Sequence, residues 1–465
     1  MKKITIVYLF SFLILLTVYA QEEPQEISLE EFIQKACRKD TVFQSILIDE
    51  LALKYRKALT LPAGDLVVSI TNQYHTFFNP KENEIDNSFS LSKLFPNTGT
   101  TVSADYTSSV SNSSRAVNSE LDLYISQPIA ENAFGKDTRL LDKLTGIEID
   151  VAQHQVIEAY EDYLASLVQT YLDWYSAYKS VETAENSYKV NLKLLKNVKE
   201  RQRNSIALPI DVNKINVQVL AKEENLVSLK NQYTEYFNLI KQALRSDENI
   251  ELKPLDPDSY DQIAIDFDNG YQQFRSQSRT YQMLLLLEEK SSVQVARDAD
   301  KLLPSIDLKL GYLIEGDNHG LSNNQNTFYG KIELDWPFFG QKEQAQHETS
   351  KIAQRKQKLN NQSTYADLYT NLKNIYEAVE REKKLISLSD EKIGLAEAIV
   401  KDETKNYSYG KVTLKDYIDE INKLEDNKFT KITHTIQLRK LIVEWLRLND
   451  LLITQDETLT LTAPE

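Results

Sequence analysis

The chain has 465 residues, of which 69 are acidic and 54 are basic, and its formal net charge at pH 7 is −15. An acidic surface repels the phosphate backbone of nucleic acids, so no nucleic-acid partner is expected. The chain contains one cysteine, Cys37, which cannot form an intramolecular disulfide, and stability must therefore come from packing.

Residues 1–20 have the pattern of a secretory signal peptide. Lys2 and Lys3 form a short basic region, an apolar run covers residues 4–18, and cleavage is expected after Ala20. A transmembrane anchor is the alternative, but the apolar run is short of the ~20 residues that a spanning helix needs. No later segment is apolar enough for a membrane helix. If the mature chain meets a bilayer, it must do so with strands or a surface helix.

Glycine and proline divide the mature chain into segments because they are distributed very unevenly. Neither occurs in 147–208, 210–253 or 411–463, and only Gly394 occurs in 341–409. These segments predict long helices. A run such as 147–204 would be on the order of 90 Å long.

The long helical segments carry apolar residues at intervals of three and four. This spacing is typical of helices that pack side by side as coiled coils. In the second segment, Lys222 is the single exception. The apolar series are Tyr160 to Val181, then Tyr188, Leu192 and Leu195; Ile215 to Ile240; Tyr365 to Val379; and Leu438 to Leu452.

The segments that contain glycine and proline show a period of two. Apolar and polar residues alternate in 88–92, 101–106, 121–126, 305–312 and 328–336. The pattern predicts strands with one apolar and one polar face. Such strands suit a water-filled barrel in an outer membrane, and a soluble antiparallel sheet with one buried face is the alternative.

Aromatic residues cluster at the end of the last strand segment. They are Tyr329, Trp336, Phe338 and Phe339. They indicate either an aromatic girdle where strands leave a bilayer or ordinary core packing.

The two halves of the chain match each other at a constant offset. Phe-Gly pairs at 134–135 and 339–340 each follow a strand and a proline, and each opens a long helical segment 205 residues from its counterpart. Asp211 and Asp416 follow the two interruptions of the helices at the same offset of 205. A duplicated unit of helix, strands, long helix, tip and long helix explains this match. Each tip would lie on the order of 90 Å from the strands.

The order and spacing of these features resemble the TolC family of outer-membrane efflux proteins. The resemblance covers essentially the whole mature chain. The motifs that carry it are ISLEEFIQKA near the start of the mature chain, SQPIAENAFG and DWPFFG at the strand-to-helix exits, and SIALPIDVNKINVQ and YGKVTLKDYIDEINKL at the tips.

The resemblance implies an α+β fold, in which a long α-helical coiled-coil barrel is joined to a transmembrane β-barrel. Homotrimerisation would close both barrels. Each chain would contribute four strands, so a trimer would contain about twelve strands and as many helical rods. Each chain would have an internal two-fold repeat. The implied segments are the signal peptide 1–20, the N-terminal helix of the equatorial region 21–61, the first β-barrel segment 62–133, the first long helical hairpin 134–253, the equatorial helix 254–303, the second β-barrel segment 304–339, the second long helical hairpin 340–455 and the C-terminal tail 456–465. Which of the strand-like segments in the first half enter the barrel stays open.

The resemblance also implies a function. The chain would be a passive conduit from the cell outer membrane into the periplasm, in a tripartite efflux or type I secretion system. Its partners would be identical chains, outer-membrane lipid, a periplasmic adaptor protein and an inner-membrane pump. The exported substrate stays open.

The helical tip would be the gate of such a conduit. In a trimer, Asp416 and Asp419 would form rings of like charge that raise one another's pKa and attract cations. Ordinary helix-start aspartates, favoured by the helix dipole, are the alternative. The position of the family's basic gate residue is Val412. By the resemblance, the pore gate is Asp211, Tyr407, Asp416 and Asp419, and the hairpin tips contain Ser205, Pro209, Gly410, Lys411 and Thr413, with Ser205 corresponding to Gly410.

Two other classes of protein compete with this interpretation. A periplasmic coiled-coil adaptor is the alternative, but its single hairpin would not produce two equal hairpins. An enzyme is disfavoured because the five histidines are scattered and neither an HExxH nor a GxSxG motif is present. No cofactor and no metal site are expected.

Overall fold

A computed structural model of the chain describes residues 25–79, 81–111, 117–245, 251–317, 321, 325–337 and 339–452. The predicted signal peptide 1–20, the predicted tail 456–465 and Phe338 lie outside the described residues. The chain divides into two units, one of Met1–Asp40, Leu167–Asp261 and Ser389–Ile436, the other of Thr41–Ser166, Gln262–Leu388 and Gln437–Glu465.

The described residues form long helices and one large sheet. The first half contains β1 (Gln25–Ile27), α1 (Leu29–Lys39), α2 (Thr41–Leu53), α3 (Arg56–Thr60), β2 (Leu66–Phe78), β3 (Lys81–Phe95), β4 (Thr100–Ser111), β5 (Val117–Pro128), α4 (Lys136–Arg203) and α5 (Pro209–Ala243). The second half contains β6 (Leu252–Pro254), α6 (Phe267–Gln277), α7 (Arg279–Asp300), β7 (Ser305–Asp317), β8 (Gln325–Asp335), α8 (Gln341–Ser408) and α9 (Leu414–Leu448). Within the described ranges, no helix combines the length and the apolar composition needed to cross a membrane.

The long helices repeat between the two halves. Helices α4 and α8 each have 68 residues, and α5 and α9 each have 35 residues. Each bound of α8 and α9 lies 205 positions after the corresponding bound of α4 and α5. The offset predicted from the sequence is therefore confirmed at both ends of both helices.

Six strands form one antiparallel sheet, in the order β2-β3-β4-β5-β7-β8. Because successive side chains in a strand point to opposite faces, the register separates an apolar face from a polar one. This alternation is the one that the sequence predicts. One row on the apolar face contains Val68, Leu91, Ala104, Leu123, Tyr312 and Phe328, and the neighbouring row on the polar face contains Ser69, Ser90, Asp105, Asp122, Leu313 and Thr327.

The sheet contains more strands than the resemblance implies for the barrel. Four strands per chain are expected, whereas the sheet contains six. The reason is that the first half contributes two consecutive hairpins, β2–β3 and β4–β5, and that β3 pairs with β4 in continuous register.

Tyr329 lies on the polar face of the sheet, so it does not belong to an aromatic girdle on the apolar face. Its ring covers Gly311, where an added Cβ atom would lie 2.4 Å from the ring. Its hydroxyl donates to the Asp122 carboxylate of β5, with oxygen–oxygen distances of 2.8 and 3.0 Å. Trp336 and Phe339, in contrast, are 62% and 74% exposed.

The two predicted equatorial helices are both interrupted. The N-terminal helix expected in 21–61 is three helices, α1 to α3, and the helix expected in 254–303 is two, α6 and α7. Ser278 causes the second break, since its N–H ends α6 on the Phe274 carbonyl at 3.0 Å and its hydroxyl accepts from the Tyr281 N–H of α7 at 3.4 Å. Asp40, in extended conformation, ends α1 by a bond from its N–H to the Ala36 carbonyl.

Aromatic residues of α4 form the core of the first unit. Tyr171 and Trp174 are fully buried. The Tyr171 hydroxyl lies 2.8 Å from the carbonyl oxygens of both Ile27 and Leu255, so it joins α4 to the paired strands β1 and β6. The sequence predicts the burial of these rings but not the short parallel strands that they support.

The predicted apolar series of α4 shifts after Val181. Leu192 is 39% exposed, whereas Leu194 and Val198 are buried. The buried positions beyond 181 are 184, 187, 191, 194 and 198, so the step after Val181 is three residues where the alternation requires four. The added step of three departs further from 3.6 residues per turn than the heptad does, and such a stammer locally overwinds a coiled coil.

Lys222, the exception in the apolar series of α5, belongs to a buried polar layer. Its Nζ lies 2.5 Å from Oε2 of Glu425 in α9, and the two side chains are 15% and 6% exposed. Ser187 of α4 donates its hydroxyl to the same carboxylate at 2.6 Å. The Glu425 carboxylate therefore connects three helices, and Lys222 neutralises its charge.

Replacement of Lys222 alone should destabilise the protein more than replacement of the pair. Lys222→Met leaves the Glu425 carboxylate buried without a countercharge, which costs about 3–5 kcal/mol. Lys222→Met combined with Glu425→Leu removes the charge and should recover most of this loss. Thermal unfolding followed by circular dichroism measures the difference. Equal melting temperatures for the single and the double variant would contradict a role of Lys222 as countercharge.

Candidate functional site at the helical tip

The turns that end α4 and α8 have the same backbone geometry. Ser205 and Gly410 both adopt left-handed conformations, with φ values of 60° and 71°. In each turn the N–H of this residue and the N–H of the next bond back to carbonyls of the last helical turn, at 2.8 to 3.0 Å. This is a Schellman motif, which satisfies the carbonyls at a helix end. The predicted correspondence of Ser205 and Gly410 thus extends to their hydrogen bonds.

Asp211 and Asp416 cap the starts of α5 and α9. The Leu208 N–H donates to Oδ2 of Asp211 at 3.2 Å, and Pro209 occupies the first helical position. In the second turn, the Thr413 hydroxyl donates to Oδ2 of Asp416 at 2.7 Å, and its oxygen accepts from the Asp416 N–H at 3.2 Å. Only the second turn therefore has a complete capping box, because leucine offers no side-chain acceptor.

Hydrogen bonds from Thr413 lower the pKa of Asp416 within one chain. The Thr413 hydroxyl and the Thr413 N–H both donate to its carboxylate, and they hold the pKa of Asp416 below its usual value. The sequence leads us to expect a raised pKa from crowding in a trimer, so the local contacts of one chain act in the opposite direction.

An apolar cluster, here called the tip cluster, lies beneath both turns. Tyr407 of α8 is one of its members and packs on Tyr417 of α9 with 5.5 Å between ring centroids. The Tyr417 hydroxyl lies 2.9 Å from the Thr404 hydroxyl, which joins the two helices of the second hairpin. The buried members of the tip cluster are Leu194, Val198, Val212, Ile215, Val219, Tyr407, Leu414, Tyr417, Ile418 and Ile421.

Arg201 connects the first hairpin to the second, and no sequence motif singled it out. Its guanidinium lies 4.8 Å from the centroid of the Tyr407 ring. Its Nη1 donates to the Ser408 carbonyl at the end of α8, at 3.2 Å. A cation at a helix C-terminus is favoured by the helix dipole. A basic residue in the last turn of α4 is visible in the sequence, but Arg203 fits that description equally well.

Arg201 and Asp211 both act on the Tyr407 hydroxyl. Burial raises the pKa of Tyr407, Arg201 lowers it, and the Asp211 carboxylate raises it further. Among the hydrogen bonds of the described residues, none joins Tyr407 to Asp211. The Asp211 carboxylate therefore acts on Tyr407 through its charge.

Asp416 and Asp419 lie on the exposed side of α9, away from the tip cluster. In the described part of the chain, neither forms an ion pair with a basic side chain. Val412, at the position of the family's basic gate residue, packs against the tip cluster. Lys411 beside it places its Nζ 5.8 Å from the centroid of the Tyr409 ring.

One further group of carboxylates approaches the spacing of metal ligands. Among the described residues, Glu158, Glu161 and Asp450 have oxygens within 4.8 Å of one another. Arg279 occupies this position, with Nε 3.2 Å from Glu158 and further ion pairs to the other two. Burial, and secondly Asp450, raise the pKa of Glu158 to about 7. The contacts are those of an ion network that holds α4, α7 and the segment after α9 together.

Comparisons with known proteins identify the fold. No protein-family model matches the chain, and no curated protein matches its sequence. Among solved structures, the outer-membrane protein VceC from Vibrio cholerae is 12% identical, with 90% of this chain and 95% of that chain covered and a TM-score of 0.67. The Campylobacter jejuni CmeC outer-membrane channel is 12% identical, with 93% and 89% covered and a TM-score of 0.65.

The Neisseria gonorrhoeae MtrE outer-membrane channel, solved in its open state, is 11% identical, with 90% and 88% covered and a TM-score of 0.64. At such low identity, the likeness shows the fold. This chain has the fold of outer-membrane channels of the VceC, CmeC and MtrE type, and the resemblance to the TolC family is confirmed at that level.

Exchanging the residues at the two left-handed positions should shift tip stability in opposite directions. Ser205→Gly should stabilise its turn and Gly410→Ser should destabilise the other, each by about 1 kcal/mol, because only glycine adopts positive φ without steric cost. A Cβ atom at position 410 meets nothing within 4 Å, so the loss of stability in Gly410→Ser comes from backbone strain alone. Native-state amide exchange in the two turns measures both effects. Shifts of the same sign would show that strain at these positions does not control the tip.

Removal of the Arg201 side chain should loosen the end of α8. Arg201→Ala removes the bond to the Ser408 carbonyl and the contact with the Tyr407 ring, so amide exchange at 405–412 should accelerate about tenfold. Arg203→Ala is the matched control, since Arg203 is exposed in the same helical turn. Equal exchange rates in the two variants would exclude Arg201 as a connection between the hairpins.

Proposed function

We propose that this chain is an outer-membrane channel of a tripartite efflux or type I secretion system. It acts as a passive conduit across the periplasm, gated at its helical tip, and it functions as a homotrimer. The fold, shared with outer-membrane channels over at least 88% of their chains, supports this assignment. It also disfavours the alternative of a periplasmic coiled-coil adaptor.

Apolar surface that one chain leaves uncovered is the observation that carries the proposal. On α5, Ile210, Val217, Leu220 and Val227 are 53 to 67% exposed, at steps of seven, three and seven residues. An exposed stripe with heptad spacing is buried when another helix packs along it. Leu395 of α8 is likewise 60% exposed, seven residues after the exposed Leu388. Identical neighbours in a ring would cover both stripes.

The sheet supports a location in the outer membrane. Its apolar face is exposed in the single chain, with Ile70, Phe328 and Ile332 at 70 to 77% exposure. Contiguous apolar surface of this extent marks a membrane or protein contact. Strands with one apolar and one polar face span an outer membrane when lipid covers the first and water fills the lumen behind the second.

The tip supports docking of a periplasmic adaptor and, through it, an inner-membrane pump. Ile206, Leu208 and Tyr409 are 63%, 63% and 75% exposed at the two turns. Apolar side chains at an otherwise polar helix end form a small protein-binding surface. Opening of the gate would separate the hairpins, and Arg201 must then leave Tyr407 and Ser408.

A charge placed in the exposed stripe tests the homotrimer. The wild-type protein should fractionate with the outer membrane and migrate as a heat-labile trimer in SDS. Val217→Lys should abolish most of this trimer because it buries a charge between helices. Asn225→Lys, at an exposed polar position on a different face of the same helix, should not. Recovery of the wild-type protein as a soluble monomer would refute the proposal.

The acidic pair of α9 should bind divalent cations in the assembled channel. In planar bilayers, the combined Asp416→Asn and Asp419→Asn substitutions should weaken divalent-cation block of single-channel current about tenfold, because a ring of carboxylates attracts cations. Asp426→Asn, an exposed acid farther along α9, is the control. Undiminished block in the double variant would remove both residues from the gate.

A further inference from the structure

The hairpin β2–β3 is integrated into the sheet as fully as the four strands that the resemblance implies. Residues Leu66 to Phe78 pair without interruption with Lys93 to Lys81, and Glu84 to Phe95 pair with Ser111 to Thr100. These ladders are longer than those between β4 and β5 and between β7 and β8. The hairpin is thus a continuation of the wall formed by the other four strands.

The two faces of the sheet continue through this hairpin. Val68 and Ile70 of β2 lie opposite Leu91 and Phe89 of β3, in rows that extend across β4 to the apolar face of the other strands. Val68 and Ile70 are 54% and 77% exposed, although β2 lies at the edge of the sheet. A hairpin that lay in water beside a barrel would have no reason to carry the same apolar face.

Strand direction allows copies of the sheet to join edge to edge. Every neighbouring pair is antiparallel, so β2 and β8, the first and last of six strands, run in opposite directions. Beside β8, the β2 strand of the next copy therefore continues the antiparallel order. Pairing between β4 and a neighbouring β8 would require β3 to leave β4, where it forms one of the longest ladders of the sheet.

From these observations we infer that β2 pairs with β8 of a neighbouring copy and that β2–β3 is part of the membrane barrel. A homotrimer then closes about eighteen strands, where the family resemblance implies about twelve. The inference rests on the proposed function, since it requires a trimeric outer-membrane channel.

An eighteen-stranded barrel has consequences for transport. Barrel diameter grows roughly linearly with strand number, so this lumen would be about half as wide again as that of a twelve-stranded barrel. The polar face that would line it carries Asp105, Glu120, Asp122 and Glu315, with Lys309 among its few basic residues. The barrel would thus pass bulky cargo and favour cations over anions.

Intermolecular disulfides distinguish the two ways of closing the ring. In a Cys37→Ala background, Thr71→Cys on β2 is combined in turn with Tyr329→Cys, Lys331→Cys or Glu333→Cys on β8. Parallel variants carry Thr107→Cys on β4 in place of Thr71→Cys. All five positions lie on the polar face, and Thr71 and Thr107 are both exposed. Trimer formation in SDS before oxidation verifies that each variant has folded.

We expect covalent oligomers on non-reducing gels for at least one Thr71 variant and for no Thr107 variant. Covalent oligomers with Thr107 alone would overturn the inference and leave the trimeric channel intact. A trimer that cross-links in neither series would overturn it as well. A wild-type protein that is not an outer-membrane trimer would refute the proposed function itself, before any cysteine is introduced.

Thiol labelling provides an independent readout that needs no pairing between copies. Ile70→Cys should react with a lipid-soluble maleimide and resist a charged one, whereas Ser69→Cys should react with the charged reagent. Reaction of both cysteines with the charged reagent would place β2 in water and overturn the inference.

Discussion

The contacts between the two hairpin tips depend on one constraint, the equal length of the two longest helices. Helices α4 and α8 each have 68 residues, and their ends meet where Arg201 reaches the Ser408 carbonyl. Removal of one residue from either helix would rotate its end by about 100° and shift it by about 1.5 Å. That rotation would turn Arg201 away from the Tyr407 ring. It would also break the contacts between the two hairpins within the tip cluster. The duplication thus preserves a length because side-chain contacts between the copies require it.

The two tips are related by duplication but are not equivalent. The second turn has glycine at its left-handed position and a complete capping box between Thr413 and Asp416. The first has Ser205 and Leu208 at the same places, so its backbone is strained and its cap is incomplete. Contacts from Arg201 to the second hairpin compensate for this weaker turn. The stability of the first tip therefore depends on its contacts with the second.

The sequence predicts the helices and strands, which local periodicity determines. It misses contacts between side chains that are far apart in the chain. Apolar spacing identifies the helices, and alternation identifies the faces of the strands, because both patterns express the geometry of the element itself. The role of Arg201 and the pairing of Lys222 with Glu425 depend on side chains about two hundred positions apart. The capping by Asp416 is local, and Thr413 three residues earlier is a readable signal. The strand-like segments of the first half are readable from the sequence, and only the smaller number expected in the barrel came from a family resemblance.

The even number of strands in the sheet limits how the proposed ring of joined sheets can gain strands. A single additional strand would make the two edges of each subunit run in the same direction, and every junction between copies would become parallel. Parallel pairs have slanted hydrogen bonds and are slightly less stable per residue than antiparallel pairs. Whole hairpins are therefore the smallest increments that enlarge the circumference and keep every junction antiparallel. In the proposed threefold ring, each increment would add six strands at once, so duplication would widen the pore in discrete steps.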